Sequence, residues 1–227
     1  MASNRFERFL PLAGVAAGLL FLVGLVLNRT DPSSETGPAK TFAYWQDNHG
    51  QHQIVGLLVA PLIAFLLIFF GAGLKRRLES ASSDSDSGYG SVAFGGAVLA
   101  AAMFALVGML EAAMANAAHA EERQTVYTLN QLHSYDWLGW NAAFAALLLA
   151  TGIGARRNHM LPAPFAWATI AMGACLLTPL GFFAFMLLPL WLIVVGIWLS
   201  RANTTAPVRS RGQTQRPDVA VAGNPSS

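Results

Sequence analysis

Long apolar stretches alternate with short polar segments along most of this chain. An α-helix rises about 1.5 Å per residue, so about 20 apolar residues cross a hydrocarbon layer about 30 Å thick. The pattern therefore predicts an all-α fold, a transmembrane bundle of six helices within residues 1–200. The predicted spans are 9–27, 54–74, 92–118, 137–155, 164–178 and 180–200.

The division between the fifth and sixth spans rests on a turn signal inside one apolar stretch. As a single helix, residues 164–200 would be about 55 Å long, which is far more than a bilayer requires. Thr178-Pro179-Leu180-Gly181 lies near the middle and suits a β-turn, with proline at its second position and glycine at its fourth. The fifth span is then short, and a re-entrant hairpin is the alternative to two full spans.

The first apolar run follows Arg5 and Arg8, an arrangement that signal peptides share. A signal peptide has an apolar centre of roughly 7–15 residues and a cleavage site of small residues. This run is longer and ends in Asn28 and Arg29 without such a site. We therefore predict a retained first span.

Composition and charge agree with a membrane protein and indicate its orientation. The chain is 54% hydrophobic and 11% charged, against roughly 25% charged residues in an average soluble domain. With both termini in the cytoplasm, eleven of the fourteen lysines and arginines face inward, whereas five spans would divide them equally. The positive-inside rule therefore predicts six spans in the cell membrane with cytoplasmic termini.

The remaining composition bears on partners and on the tail. Residues 201–227 have no hydrophobic pattern and contain proline, glycine and serine, which predicts a disordered cytoplasmic tail. Because the cationic residues are accounted for by topology, no nucleic-acid partner is expected. The expected partner is the lipid bilayer, with a protein partner or a homo-oligomer left open.

Glu111 is the first candidate for chemistry, because it lies within the third predicted span. A carboxylate inside a span is costly, and it commonly marks a functional site or a paired group. Asn141 in the fourth span is a candidate partner, so the two residues form a proposed proton or ligand site. The alternative is that Glu111 lies at the membrane interface, or is protonated and hydrogen-bonded within the bundle.

Four of the five histidines fall on the predicted outer side: His49, His52, His119 and His133. Zinc takes nitrogen, sulfur or oxygen ligands, so these imidazoles are candidate ligands of a divalent metal. The chain has no H-E-x-x-H pattern, which excludes the familiar zinc-protease arrangement. Hydrogen bonding at the membrane interface is the alternative role, and no cofactor is predicted.

Two segments, GLLVAPLIAFLLIFFGAGLKRRLE and TPLGFFAFMLLPLWLIVVGIWLS, resemble parts of small bacterial integral membrane proteins of the domain-of-unknown-function type. The resemblance lies in hydrophobic character and not in a signature motif. It implies a polytopic helical fold in a bacterial inner membrane, and it implies no catalytic residues.

Three functional classes are consistent with these features. The favoured hypothesis is a non-enzymatic membrane protein that senses a signal or binds a partner through its polar outer loops. The first alternative is a small-solute or proton-coupled transporter that uses Glu111. The second is a membrane enzyme with a metal site on its outer face.

Overall fold

The computed structural model describes residues 3–28, 32–33, 35–81 and 88–202. Within these ranges all regular structure is helical and no strand is present. The predicted disordered tail falls outside the described residues from position 203 onward, as does the centre of the polar linker, 82–87.

Nine α-helices and one π turn account for the regular structure of the described residues. They are α1 (Ser3–Leu27), α2 (Pro38–Asp47), α3 (His49–Ile54), the π turn (Val55–Val59), α4 (Ala60–Ala81), α5 (Tyr89–His119), α6 (Arg123–His133), α7 (Trp137–Arg157), α8 (Ala163–Leu176) and α9 (Gly181–Ala202).

Five helical segments among the described residues are long and apolar enough to cross a membrane. They are Phe9–Leu27, His49–Ala81, Tyr89–His119, Arg123–Arg157 and Gly181–Arg201. The predicted all-helical fold is therefore confirmed among the described residues, and the five apolar segments are consistent with a multi-pass membrane protein.

The long helices and α8 form a closed ring in which each helix contacts the next, in the order α1, α4, α5, α7, α8, α9 and back to α1. Aromatic side chains meet inside the ring. The Phe21 ring centroid lies 5.0 Å from that of Phe104 and 5.3 Å from that of Phe185. Edge-to-face pairs of this kind add about 0.5–1.5 kcal/mol beyond the burial of their area.

Neighbouring helices in the ring run antiparallel, and this fixes where α1 begins and where α9 ends. Gly18 of α1 lies against Pro189 of α9, and Gly196 of α9 lies against Pro11 of α1. The start of α1 and the end of α9 therefore lie at the same end of the bundle.

Helix α8 is the exception in length. Its 14 residues extend about 21 Å at about 1.5 Å per residue, short of a hydrocarbon layer about 30 Å thick. It packs antiparallel on α7, with Gly152 against Ile170 and Gly173 against Leu149. The expected turn follows, because the Gly181 N–H donates to the Thr178 carbonyl at 2.9 Å.

Short helices cover the end of the bundle where α1 ends and α9 begins, which we call the cap end. The cap consists of α2, α3 and α6, so the predicted outer loops are largely helical. Helix α2 begins at Pro38, where the missing N–H of proline costs no intrahelical bond. Phe42, Trp45 and Val126 pack with Leu110 and Met114 of α5, so the cap has its own apolar core.

A π turn joins α3 to α4 without ending the helix. In a regular α-helix the ring of Pro61 would meet the carbonyl of Leu57, and proline supplies no N–H to it. Here the Ala60 N–H donates to the Val55 carbonyl, five residues back, and the wider turn accommodates the proline. Turns of this type occur frequently at functional sites.

Gly56 in the π turn and Gly108 in α5 bring two backbones into direct contact. A Cβ atom at Gly108 would lie 2.6 Å from the Gly56 carbonyl oxygen and 2.8 Å from Ala60 Cβ. Both distances are shorter than real Cβ contacts. This crossing therefore requires glycine, and it sets the register of α3 against α5.

We expect Gly108→Ala to destabilise the protein by about 1–3 kcal/mol, because overpacking forces the two backbones apart. The matched control is Gly95→Ala on the same helix, where a Cβ atom would meet nothing within 4 Å. Both substitutions gain the same helix propensity, about 1 kcal/mol. Thermal unfolding in detergent measures the difference, and equal melting temperatures for the two variants would contradict the close crossing.

Candidate functional site

Glu111 lies in α5 near the cap end, and its residue is only 2% exposed. Its carboxylate has two polar partners from other segments. Asn28, just past α1, donates from Nδ2 to Glu111 Oε1 at 2.7 Å. His52 of α3 places Nδ1 3.4 Å from Glu111 Oε2. A buried carboxylate is tolerated when it is hydrogen-bonded in this way.

The crossing of Gly56 and Gly108 explains why His52 reaches Glu111. His52 precedes Gly56 by one helical turn, and Glu111 follows Gly108 by about one turn on the antiparallel helix. Residues three or four apart share a helix face. The close backbone contact therefore directs both side chains to the same point between α3 and α5.

The polar network continues from His52 into the cap. The second ring nitrogen, Nε2, lies 3.1 Å from the hydroxyl of Tyr44. The ring of Trp45 lies beside that of His52, with centroids 4.1 Å apart. The Trp45 indole N–H donates to Asn130 Oδ1 at 3.1 Å, and both residues are fully buried. Residues of α2, α3, α5 and α6 thus form one continuous chain of contacts.

A second histidine–carboxylate pair lies at the junction of α6 and α7. His133 Nδ1 is 3.1 Å from Asp136 Oδ2, and both side chains are mostly buried. The Trp45 ring centroid is 6.5 Å from that of His133, so the same tryptophan lies between the two histidines.

A cavity of about 760 Å³ opens within the ring of helices beside Glu111. It is bounded by the long helices, the π turn and the turn between α8 and α9, where Thr178 and Pro179 line it. Because α8 ends short of the cap end, this turn lies where a longer helix would fill the space. The volume falls within the range of roughly 300–1,000 Å³ that is typical of small-molecule sites.

The cavity wall is mainly aromatic and aliphatic, with few polar groups. Its aromatic side chains are Phe21, Phe104, Trp137, Trp140, Phe182 and Phe185. Its polar side chains are Asn28, Glu111, His133, Asp136, Asn141 and Thr178. Two of these are carboxylates, and no lysine or arginine lines the cavity among the described residues.

One hydrogen-bond acceptor at this site is unused. Asn28 donates to Glu111 through Nδ2, while its buried Oδ1 atom has no hydrogen-bond partner among the described residues. Leaving a buried acceptor unpaired costs about 1–3 kcal/mol. A ligand with an N–H or O–H group that entered the cavity would remove that cost.

Glu111 and Asn141, the predicted pair, both line the cavity, but each has its own neighbours. Glu111 is bonded by Asn28 and His52. Asn141 Nδ2 lies next to Gly181, at the turn between α8 and α9. The two residues therefore face the same space from different sides.

The four histidines of the predicted metal site are divided among three places. His49 and His119 form one pair, with ring centroids 5.0 Å apart. His52 lies against Glu111, and His133 lies against Asp136. Within the described residues, no group of three or more His, Cys, Asp or Glu side chains is arranged to hold a metal ion. A metal shared by all four histidines stays a prediction.

Sequence reasoning missed Asn28, Tyr44 and Trp45 as parts of the site. Tyr44 and Trp45 are of the residue types that anchor helices at the membrane interface, but Trp45 is fully buried between the cap helices and α5. Asn28 carried one usable signal, because it is the first polar residue after the first apolar run.

We expect Trp45→Phe to lower the free energy of unfolding by about 1–3 kcal/mol, because Asn130 would lose its donor while remaining buried. The Nδ2 atom of Asn130 already has no hydrogen-bond partner among the described residues. Thermal unfolding in detergent measures the change. The control is Trp198→Phe, an exposed tryptophan whose indole donates to the Met160 carbonyl. A control variant that is destabilised as much as Trp45→Phe would refute the importance of this bond.

No family model, curated protein or solved structure matches this chain. The chemistry of the site therefore rests on its own geometry, and the resemblance to small bacterial membrane proteins stays a prediction.

Proposed function

We propose that this protein is a non-enzymatic, multi-pass membrane protein that binds a small solute in the cavity beside Glu111 and senses it through the cap helices. The observation that carries the proposal is the cavity itself, about 760 Å³ in volume, largely aromatic, and bordered by a buried carboxylate. An apolar pocket with a few convergent polar groups is the usual form of a ligand site.

The cap supports a sensing function. His52 contacts Glu111 at the cavity and Tyr44 in the cap. Trp45 contacts His52 and hydrogen-bonds to Asn130. A solute that changes the position of Glu111 would therefore shift residues of α2, α3 and α6. The outer surface of these helices is where a protein partner would detect the change.

Six spans with both termini in the cytoplasm of a bacterium form part of this proposal. The contacts of Gly18 with Pro189 and of Gly196 with Pro11 support an even number of crossings, because they place the start of α1 and the end of α9 together. Helix α8 is then the short fifth crossing, α9 is the sixth, and the cap faces outward. The excess of lysine and arginine on the other side agrees with this orientation.

Proton-coupled transport is the second candidate, and a specific observation favours it. The helix that contains His52 departs from regular α-helical geometry at a π turn next to the cavity, and π turns occur frequently at functional sites. Transport would appear as uptake of an aromatic solute such as naphthylethylammonium into proteoliposomes under a proton gradient, above the uptake into protein-free liposomes and lost in Glu111→Gln. Binding of the solute without uptake would exclude transport and retain the sensing function.

We expect a cysteine at position 24 to react with a small hydrophilic thiosulfonate that is added to the outer side of sealed cells. Gly24 lines the cavity, and a Cβ atom there would meet nothing within 4 Å, so Gly24→Cys fits without strain. The substitution is made in a Cys175→Ala background, because Cys175 is the only native cysteine. Mass spectrometry measures the extent of labelling.

Two further variants serve as controls for access and sidedness. Gly95→Cys is also unhindered but lies outside the cavity, so it should not react. Ser200→Cys, near the end of α9, should react only from the inner side. If Gly24→Cys reacted with the thiosulfonate from neither side of the membrane, the solute-binding proposal would be overturned. Outer-side labelling of Ser200→Cys would overturn the six-span topology.

A further inference from the structure

Resting on the proposed solute-binding function, we infer that the cavity selects a small aromatic organic cation that carries an N–H donor. The first support is the charge of the wall. Glu111 and Asp136 line the cavity, and no lysine or arginine does so among the described residues. His52 and His133 partner these carboxylates, but an imidazole is not a fixed cation as a lysine or arginine is.

The second support is the direction of the hydrogen bonds. Carboxyl oxygens each have more than one lone pair, so Glu111 can accept a further hydrogen bond from a ligand in addition to the one from Asn28. Asn28 Oδ1, beside Glu111, is a buried acceptor with no partner among the described residues. A protonated amine supplies several N–H donors to such a pair, and charge-assisted bonds are roughly twice as strong as neutral ones. A carboxylate ligand would meet only acceptors at this pair.

The third support is the aromatic wall. Aromatic rings attract a cation placed over their faces within about 6 Å of the centroid, and tryptophan does so most strongly. Trp137 and Trp140 line the cavity on the α7 side, and Phe185 lines it on the α9 side. The same rings accommodate the apolar part of the ligand. An aliphatic wall would accommodate the apolar part of the ligand but would not attract its positive charge.

The test compares three probes that share one ring system: naphthylethylammonium, naphthylethanol and naphthylacetate. Each is measured by equilibrium dialysis against the purified full-length protein in lipid nanodiscs, with empty nanodiscs subtracted to remove partitioning. We expect the ammonium ion to bind at least about tenfold more tightly than the alcohol, because it adds charge-assisted and cation–π contacts. We expect no measurable binding of the carboxylate.

Substitutions locate the binding to the cavity. Glu111→Gln should reduce the affinity for naphthylethylammonium about tenfold or more, and it should leave the affinity for the alcohol nearly unchanged. Asp136→Asn is a second variant, at a carboxylate less deeply buried than Glu111, so the test survives if Glu111→Gln does not fold. Glu79→Gln is the matched control, since Glu79 is an exposed carboxylate that pairs with Lys75 outside the cavity.

The outcomes separate this inference from the function on which it rests. Equal binding of the ammonium ion and the alcohol would overturn cation selectivity and leave the solute-binding cavity intact. Binding of the carboxylate in preference to the ammonium ion would also overturn it. Absence of binding by all three probes would overturn the cation inference, while labelling of Gly24→Cys would still show whether the cavity admits solutes.

Discussion

The burial of the Glu111 carboxylate is the constraint on which this structure depends. A carboxylate placed in an apolar bundle must find hydrogen-bond donors or lose its charge. Asn28 and His52 satisfy this requirement from two different segments of the chain. The close crossing of Gly56 and Gly108 is what allows His52 to reach its partner. The close packing of small residues and the hydrogen bonding of the buried carboxylate are therefore linked at this one helix crossing.

The short length of α8 has a consequence for the same site. The turn that follows it lines the same cavity as Glu111 and closes one side of it, where a full-length helix would have filled the space. The bundle thus keeps an open volume next to its buried carboxylate. Tight packing elsewhere, where Leu67, Phe70 and Leu74 are fully buried away from the cavity wall, shows that this volume is local.

The cap converts the site from an isolated pair into a network. The buried indole of Trp45 touches His52 and holds Asn130. The cap helices have a separate apolar cluster that rests on α5, so they form an outer layer attached to the helix that carries Glu111. An effect at the cavity has a direct physical route to the surface of the cap.

Sequence alone determined the membrane class, because hydrophobicity and helix length are local properties that can be read along the chain. It also singled out Glu111, since a carboxylate in an apolar run is conspicuous wherever it packs. The partners of Glu111 were decided by tertiary structure: Asn28 lies 83 positions away and His52 lies 59 positions away. The same holds for the separation of the four histidines and for the burial of Trp45. These features depend on helix crossings and on the length of α8 in space, and no local pattern of residues specifies them.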